Sequence, residues 1–320
     1  TTAHFKQNQF FGLAEDDVQF FTQGVMPATD FEGKLLVKDA DNLALSPNGH
    51  GGSLKALIDS GSIGDMKNRG VEHLSYFQVD NPLVRVLDPV FLGLVALGDA
   101  EAAAKSLSKR DPYEKLGNFC VVDDKTTIIE YSDLPAELAE ACNPDGRLKF
   151  SAGSIAIHIF RRDFVERITA GGTCLLPIHR ADKKVPHIDP ATGKRVSPDA
   201  PNAVKLELFV FDAMPLAEKT VIYSTSRGEE FSPIKNAEGE DSPATSKHDQ
   251  VRRYANWLEA AGVAIPRDAM GQIAAAIEIS PLFADSPEML KASLATLPEP
   301  LNIHAGDNVY LGSRGQISGK

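Results

Sequence analysis

Short apolar runs alternate with amphipathic ones along this chain, and glycine, proline or asparagine marks most of the changes. Period-two and continuous apolar runs predict strands at residues 18–23, 33–38, 73–79, 119–122, 127–131, 155–160, 205–211 and 221–226. Helical spacing predicts a helix over residues 4–13 and another from Ser53, whose hydroxyl is a plausible N-cap. A third helix begins near Phe91, because Asp88-Pro89 supplies a capping carboxylate and a proline suited to the first helical position. Residues 181–202 carry four prolines and predict an extended excursion. Beyond residue 246 the pattern changes to helices at 250–261 and 286–297 and a strand over 301–311. Strands alternating with helices predict an α/β fold, a mixed and mainly parallel sheet flanked by helices. The division expected is a catalytic domain over 1–250 and a small C-terminal α/β appendage over 251–320.

Composition narrows the function classes. The 320 residues are 42% hydrophobic and 24% charged, an ordinary globular balance. A net charge of -11 repels nucleic acid and anionic lipid, so neither is an expected partner. Three widely spaced cysteines, Cys120, Cys142 and Cys174, form no Cys-x-x-Cys and no paired framework. They predict reduced thiols in a cytoplasmic protein. No apolar run reaches the roughly 20 residues that span a bilayer.

Four segments carry candidate chemistry. In Asn48-Gly49-His50-Gly51-Gly52, missing Cβ atoms before a helix N-terminus suit either a nucleotide or a tight strand-to-helix turn. Asp80, after the 73–79 strand, can hold Mg²⁺ with substrate phosphates or cap the Asn81-Pro82 turn. In residues 205–211, Leu206, Leu208 and Val210 share one face; Phe209 and Phe211 share the other, an aromatic wall or a second packed layer. Lys235, in a turn-rich segment, offers a compact positive charge to a phosphate or simply to water.

Taken together, Phe20-Phe21-Thr22-Gln23-Gly24-Val25-Met26-Pro27-Ala28, residues 47–52, Val79-Asp80-Asn81-Pro82-Leu83-Val84, Glu130-Tyr131-Ser132, residues 205–212 and residues 231–237 follow a familiar order and spacing. From about residue 4 to about residue 250 the chain resembles the UDP-N-acetylglucosamine pyrophosphorylases, within the wider group of UDP-sugar pyrophosphorylases. The resemblance implies a Rossmann-like nucleotidyltransferase that joins UTP and a sugar 1-phosphate into a UDP-sugar and pyrophosphate, with Mg²⁺. It implies that Gln23, Gly49 and His50 hold uracil and ribose, and that Asp80 serves the metal and phosphates. It also implies that Lys235 neutralises phosphate charge in the transition state, that Gly117 and Glu130 hold sugar hydroxyls, and that Phe209 and Phe211 flank the sugar.

Three departures qualify the resemblance. The family's glycine-rich signature, Leu-x-x-Gly-Gly-x-Gly-Thr-Arg-Leu-Gly, is absent, and its expected place is upstream of Thr1. The chain is therefore expected to lack its N-terminal part and to be inactive alone. His50 stands where the N-acetylglucosamine enzymes carry Asn, as in the UDP-glucose branch. Ser154 stands where they have an asparagine facing the sugar. The rival expectations are a non-catalytic UDP-sugar binding module and a UDP-glucose pyrophosphorylase. A glycosyltransferase would need an Asp-x-Asp near Asp80, where none lies.

Overall fold

The computed structural model describes residues 1–312 and the backbone of 317–318; residues 313–316 and 319–320, at the end of the expected appendage, lie outside the described residues. The elements run α1 (Thr2–Gln7), β1 (Val25–Pro27), β2 (Val37–Asp39), β3 (Asn42–Leu43), β4 (Leu45–Pro47), α2 (Gly52–Asp59), α3 (Ser62–Asn68), β5 (His73–Tyr76) and α4 (Pro89–Leu97). There follow β6 (Ala102–Ser108), β7 (Gly117–Val122), β8 (Lys125–Ile129), α5 (Ala136–Ala139), β9 (Ala152–Arg161) and α6 (Arg162–Ile168). Next come β10 (His179–Lys183), β11 (His187–Ile188), β12 (Arg195–Val196), β13 (Ala203–Glu207), β14 (Thr220–Ser224) and α7 (Arg227–Glu230). The chain continues through α8 (Pro243–Ala260), β15 (Ala276–Ile279), α9 (Pro287–Leu294), β16 (Asn308–Leu311) and β17 (Ile317–Ser318).

The central sheet has the order β14-β6-β9-β7-β8, with β5 also on β9. It is mixed, as expected, but not mainly parallel: within it only β14 and β6 are parallel neighbours among the described residues. The alternation misled because β7 and β8 are joined by the two-residue turn Asp123-Asp124, both at positive φ, which returns the chain antiparallel. Both faces are covered. Ala102, Ala104 and Phe160 pack with Leu54 of α2, Phe164 of α6 and Met214, while Ala103, Ile157 and Ile159 pack with Phe91 and Val95 of α4. A sheet buried on both sides explains the unbroken apolar run Ala102-Ala103-Ala104.

A separate core joins Tyr254, Trp257 and Leu258 of α8 to β15, β16 and Leu290. Residue 251, the expected division, falls inside α8. That helix begins at Pro243 rather than 250, because Ser242 and Thr245 form a capping box with proline in the first turn.

Other local expectations change for identifiable reasons. Residues 18–23 are not a strand: Phe20 packs edge-on against Phe5 at 5.2 Å instead of entering a sheet. The N-terminal helix stops at Gln7, and Phe10 and Phe11 sit at φ 51° and 54°. Of 33–38 only the end lies in a strand, β2, while Leu35 makes an isolated bridge to Thr29, and of 301–311 only β16 is a strand. Gly51, not Ser53, is the N-cap of α2, and the Ser53 hydroxyl instead donates to the His50 carbonyl. The 205–211 strand ends at Glu207, and Val210–Leu216 turns into a 3-10 helix that buries Val210 and Phe211 while Leu206 stays exposed. Asp88 caps α4 as expected, accepting from the Val90 and Phe91 amides.

Candidate active site

The site lies where the sheet is interrupted. β5 and β7 pair end to end along one edge of β9, with Tyr76 opposite His158 and Gly117 opposite Ser154. Residues 155–157 pair with neither strand. On the other edge Ala104 faces His158 and Ser106 faces Ser154, so β9 bulges against β6. Ala156 takes φ 56°, a left-handed conformation that costs a non-glycine residue about 1 kcal/mol. Such strain persists where the surroundings enforce it, often at functional sites.

A cleft of about 140 Å³ opens at this interruption. It gathers seven of the sequence-predicted residues: His50, Asp80, Gly117, Glu130, Ser154, Phe211 and Lys235. Gln78, Asn81, Lys115, Ala156 and Phe231 also line it and were not anticipated. Asn81 and Phe231 adjoin or lie within motifs already singled out, so proximity was an available signal; a strained alanine leaves none.

Asp80 and Lys235 meet because their loops are tied together. The buried Asn81 amide donates to the Glu230 carbonyl at 2.8 Å and accepts from the Ser232 amide at 3.1 Å, while the Ile234 amide donates to the Asp80 carbonyl at 2.8 Å. Behind this junction the fully buried Lys105 ammonium lies 2.6 Å from Asp88 and 2.5 Å from Glu230.

The glycine turn spends its missing Cβ atoms on the protein itself. A Cβ on Gly49, at φ 81°, would lie 2.4 Å from the Leu208 carbonyl oxygen, and one on Gly52 would lie 2.0 Å from the Asn48 side chain. The Gly51 amide donates to Leu208 at 2.8 Å. Close packing on the strand exit thus accounts for these glycines. Gln23 donates to the Gly49 carbonyl at 3.0 Å and to Asn48 at 3.3 Å, so Gln23 and Gly49 stand behind the cleft wall. Phe209 also stands behind it, 5.3 Å from the His50 ring and stacked on it.

His50 is held as a neutral imidazole. Its Nδ1 accepts from the Val210 amide at 3.1 Å, which leaves the proton on Nε2, and burial lowers its pKa to about 4. Burial raises the Glu130 carboxyl; Asp133 adds to this, and Lys235 and His179 oppose it. A carboxyl beside a cation at a half-buried cleft wall can hold hydroxyls and orient them.

Known proteins resemble this chain in sequence and in fold. The UTP–glucose-1-phosphate uridylyltransferase family profile matches residues 1–242. A UDP-N-acetylhexosamine pyrophosphorylase-like protein 1 of Mus musculus is 38% identical over 92% of this chain and 61% of its own length. The UDP-N-acetylglucosamine pyrophosphorylase of Saccharomyces cerevisiae is 40% identical over 83% of this chain and 57% of its own. The chain thus spans about three fifths of these relatives. A solved structure from Entamoeba histolytica superposes with TM-score 0.81 at 32% identity, covering 94% of this chain and 73% of the other. The Trypanosoma brucei UDP-N-acetylglucosamine pyrophosphorylase shares the fold, with TM-score 0.78 at 24% identity over 98% and 65%. With the family match extending over residues 1–242 of 320, the chain belongs to the UTP–glucose-1-phosphate uridylyltransferase family.

Proposed function

We propose that the protein containing this chain transfers a uridylyl group from UTP to a sugar 1-phosphate, with an N-acetylhexosamine 1-phosphate as the first candidate, and releases pyrophosphate. The observation that supports this reading best is the convergence of Asp80 and Lys235, from distant segments, on one cleft through shared backbone hydrogen bonds. The sugar phosphate attacks the α-phosphorus of UTP in line; the bond to the pyrophosphate leaving group breaks, and no protein nucleophile is needed. Lys235 offers its ammonium to the negative charge that builds on the transferring phosphate. Glu130 accepts from sugar hydroxyls, Gly117 gives the sugar a wall without a side chain, and Ser154 and Phe211 complete that side. His50 forms the uridine end, with its Nε2–H as the donor and with Gly49 and Gln23 supporting it from behind.

Mg²⁺ suits this donor set. Among the described residues no group of three or more His, Cys, Asp or Glu is arranged for a metal, so a dedicated protein cage does not fit. A single strand-end carboxylate, Asp80, fits an ion held mainly by substrate phosphates and water. When bound, such an ion supplies charge neutralisation. No described helix is long and apolar enough to cross a membrane. The free cysteines Cys120, Cys142 and Cys174 suit a reducing compartment, which supports a cytoplasmic site of action.

The test is pyrophosphate release by the full-length protein with UTP, Mg²⁺ and a panel of hexose and N-acetylhexosamine 1-phosphates. Release with N-acetylhexosamine 1-phosphates supports the proposal, and dominance of glucose 1-phosphate moves the sugar to the hexose class. One rival is a non-catalytic module. UDP-sugar binding by calorimetry without any turnover would establish that rival instead.

A further inference from the structure

We infer that His179 and Asp212, neither of which lines the cleft, are positioning residues that set its aromatic wall and thereby its choice of sugar. This inference rests on the uridylyltransferase reading and deepens it.

The wall is one face of a stack of rings. Phe209 lies between His179, at 4.6 Å and 32°, and His50, at 5.3 Å and 24°. Phe211, the ring that enters the cleft, lies 5.1 Å from Phe209 and 5.7 Å from His50. Both ends of the stack are fastened to the same four-residue segment. The Val210 amide donates to His50 Nδ1, and the Asp212 carboxylate accepts from His179 Nε2 at 2.8 Å. The Asp212 amide also donates to the Phe209 carbonyl at 3.2 Å, closing the turn around the ring.

The pair is too buried to be a surface ornament, with side chains 29% and 13% exposed. A partly desolvated, charge-assisted hydrogen bond holds its geometry far better than a solvated one. His179 opens β10, where it pairs opposite Glu207 at the end of β13, so its backbone is fixed just where the segment leaves the sheet. Removing the imidazole deletes both the ring behind Phe209 and the anchor of Asp212. The segment is then free to move Phe211 relative to the sugar, while the uridine end keeps its separate anchor at Val210. Asp212 and His179 also act on the charge of Glu130, with Asp133 and Lys235 as the other charged groups facing it. The pair therefore touches sugar recognition twice, through the wall and through that carboxyl.

The experiment compares the unsubstituted full-length protein with His179→Ala, His179→Phe and Asp212→Asn, each checked for folding by thermal melting. The readouts are KM for UTP, KM for the sugar 1-phosphate, and the ratio of kcat/KM between N-acetylhexosamine and hexose 1-phosphates. Expected for His179→Ala is a change of about fivefold or more in sugar KM and in that ratio, with UTP KM within about twofold. His179→Phe, which keeps a ring but loses the anchor, should fall between, as should Asp212→Asn, which keeps an oxygen acceptor but loses the charge. Unchanged sugar KM and ratio in the folded variants, or equal losses for both substrates, would overturn the inference. If the unsubstituted protein turns over no sugar 1-phosphate, the uridylyltransferase reading fails. Calorimetry of UDP-N-acetylhexosamine against UDP-hexose on the same variants then decides the wall separately, with the same expected shift and the same refuting result.

Discussion

Replacing Lys105 with Met tests the junction behind the cleft. The methionine has nearly the volume of the lysine stem but no charge, and Lys105 is wholly buried in β6. Its ammonium lies 2.6 Å from Asp88 Oδ2 and 2.5 and 2.6 Å from the two Glu230 oxygens, and those side chains are only 2% and 4% exposed. Burial by itself would raise the Asp88 carboxyl, but the hydrogen bond and charge of Lys105 outweigh it and hold the carboxyl below its ordinary value. Stripping the cation from buried carboxylates costs about 3–5 kcal/mol, out of a total stability of about 5–15 kcal/mol. Urea unfolding at pH 7 should therefore show a loss of several kcal/mol for Lys105→Met, and the Lys105→Met/Glu230→Gln double variant should recover part of it. The pH sign follows from the same groups. The lowered Asp88 carboxyl stabilises the parent above the unfolded carboxylate range, and that contribution fades as pH falls through the folded value. In the variant, carboxyls raised by unrelieved burial protonate readily, so the deficit should shrink on acidification toward pH 4. A loss below about 1 kcal/mol at pH 7, or a deficit that is constant with pH, would refute the assignment of this triad as the structural support of the site.

Substituting Lys235→Ala should lower kcat by about 100-fold or more while UDP-sugar affinity measured by calorimetry changes far less; equal losses would mark ground-state binding alone. Ala156→Gly relieves about 1 kcal/mol of left-handed strain but loosens the unfolded chain by a similar amount, so stability should stay within about 0.5 kcal/mol, read as a nearly unchanged denaturation midpoint; a loss above about 1 kcal/mol would show that the methyl packs more favourably than the strain costs. His50 and His158, lowered to about 4 and about 3 by burial, bind protons in the unfolded chain before the folded one. Stability should therefore fall as pH drops from about 6.5 toward 4, and NMR titration of the His50 ring should show its midpoint near 4; a midpoint near 6.5 would contradict its burial.

Part of the candidate site was legible because its chemistry is local: Asp80 follows a strand-forming run and the Gly49–Gly52 turn precedes a helix, whereas Gln23, Gly117 and Glu130 were singled out only by the family resemblance. The roles of the glycines and of Phe209 were less legible: both depend on Leu208 and His50 meeting across the chain, which spacing within one segment does not encode.

The amino-acid order alone determined features governed by contacts within a few residues: the Asp88-Pro89 start of α4, the hydrophobic runs that become β5, β7, β8 and β9 though not β6, and the net charge of -11. Tertiary structure alone decided which strands become neighbours, the bulge that strains Ala156, the burial of Lys105 between Asp88 and Glu230, and the meeting of Asp80 with Lys235. The division has one physical cause. Caps and turns are settled by hydrogen bonds that close over three or four residues. Strand partners and buried charges are settled by the desolvation and pairing of groups beyond the reach of one turn, 17 residues apart for Lys105 and Asp88 and 125 for Lys105 and Glu230, and these pairings exist only once the chain has folded.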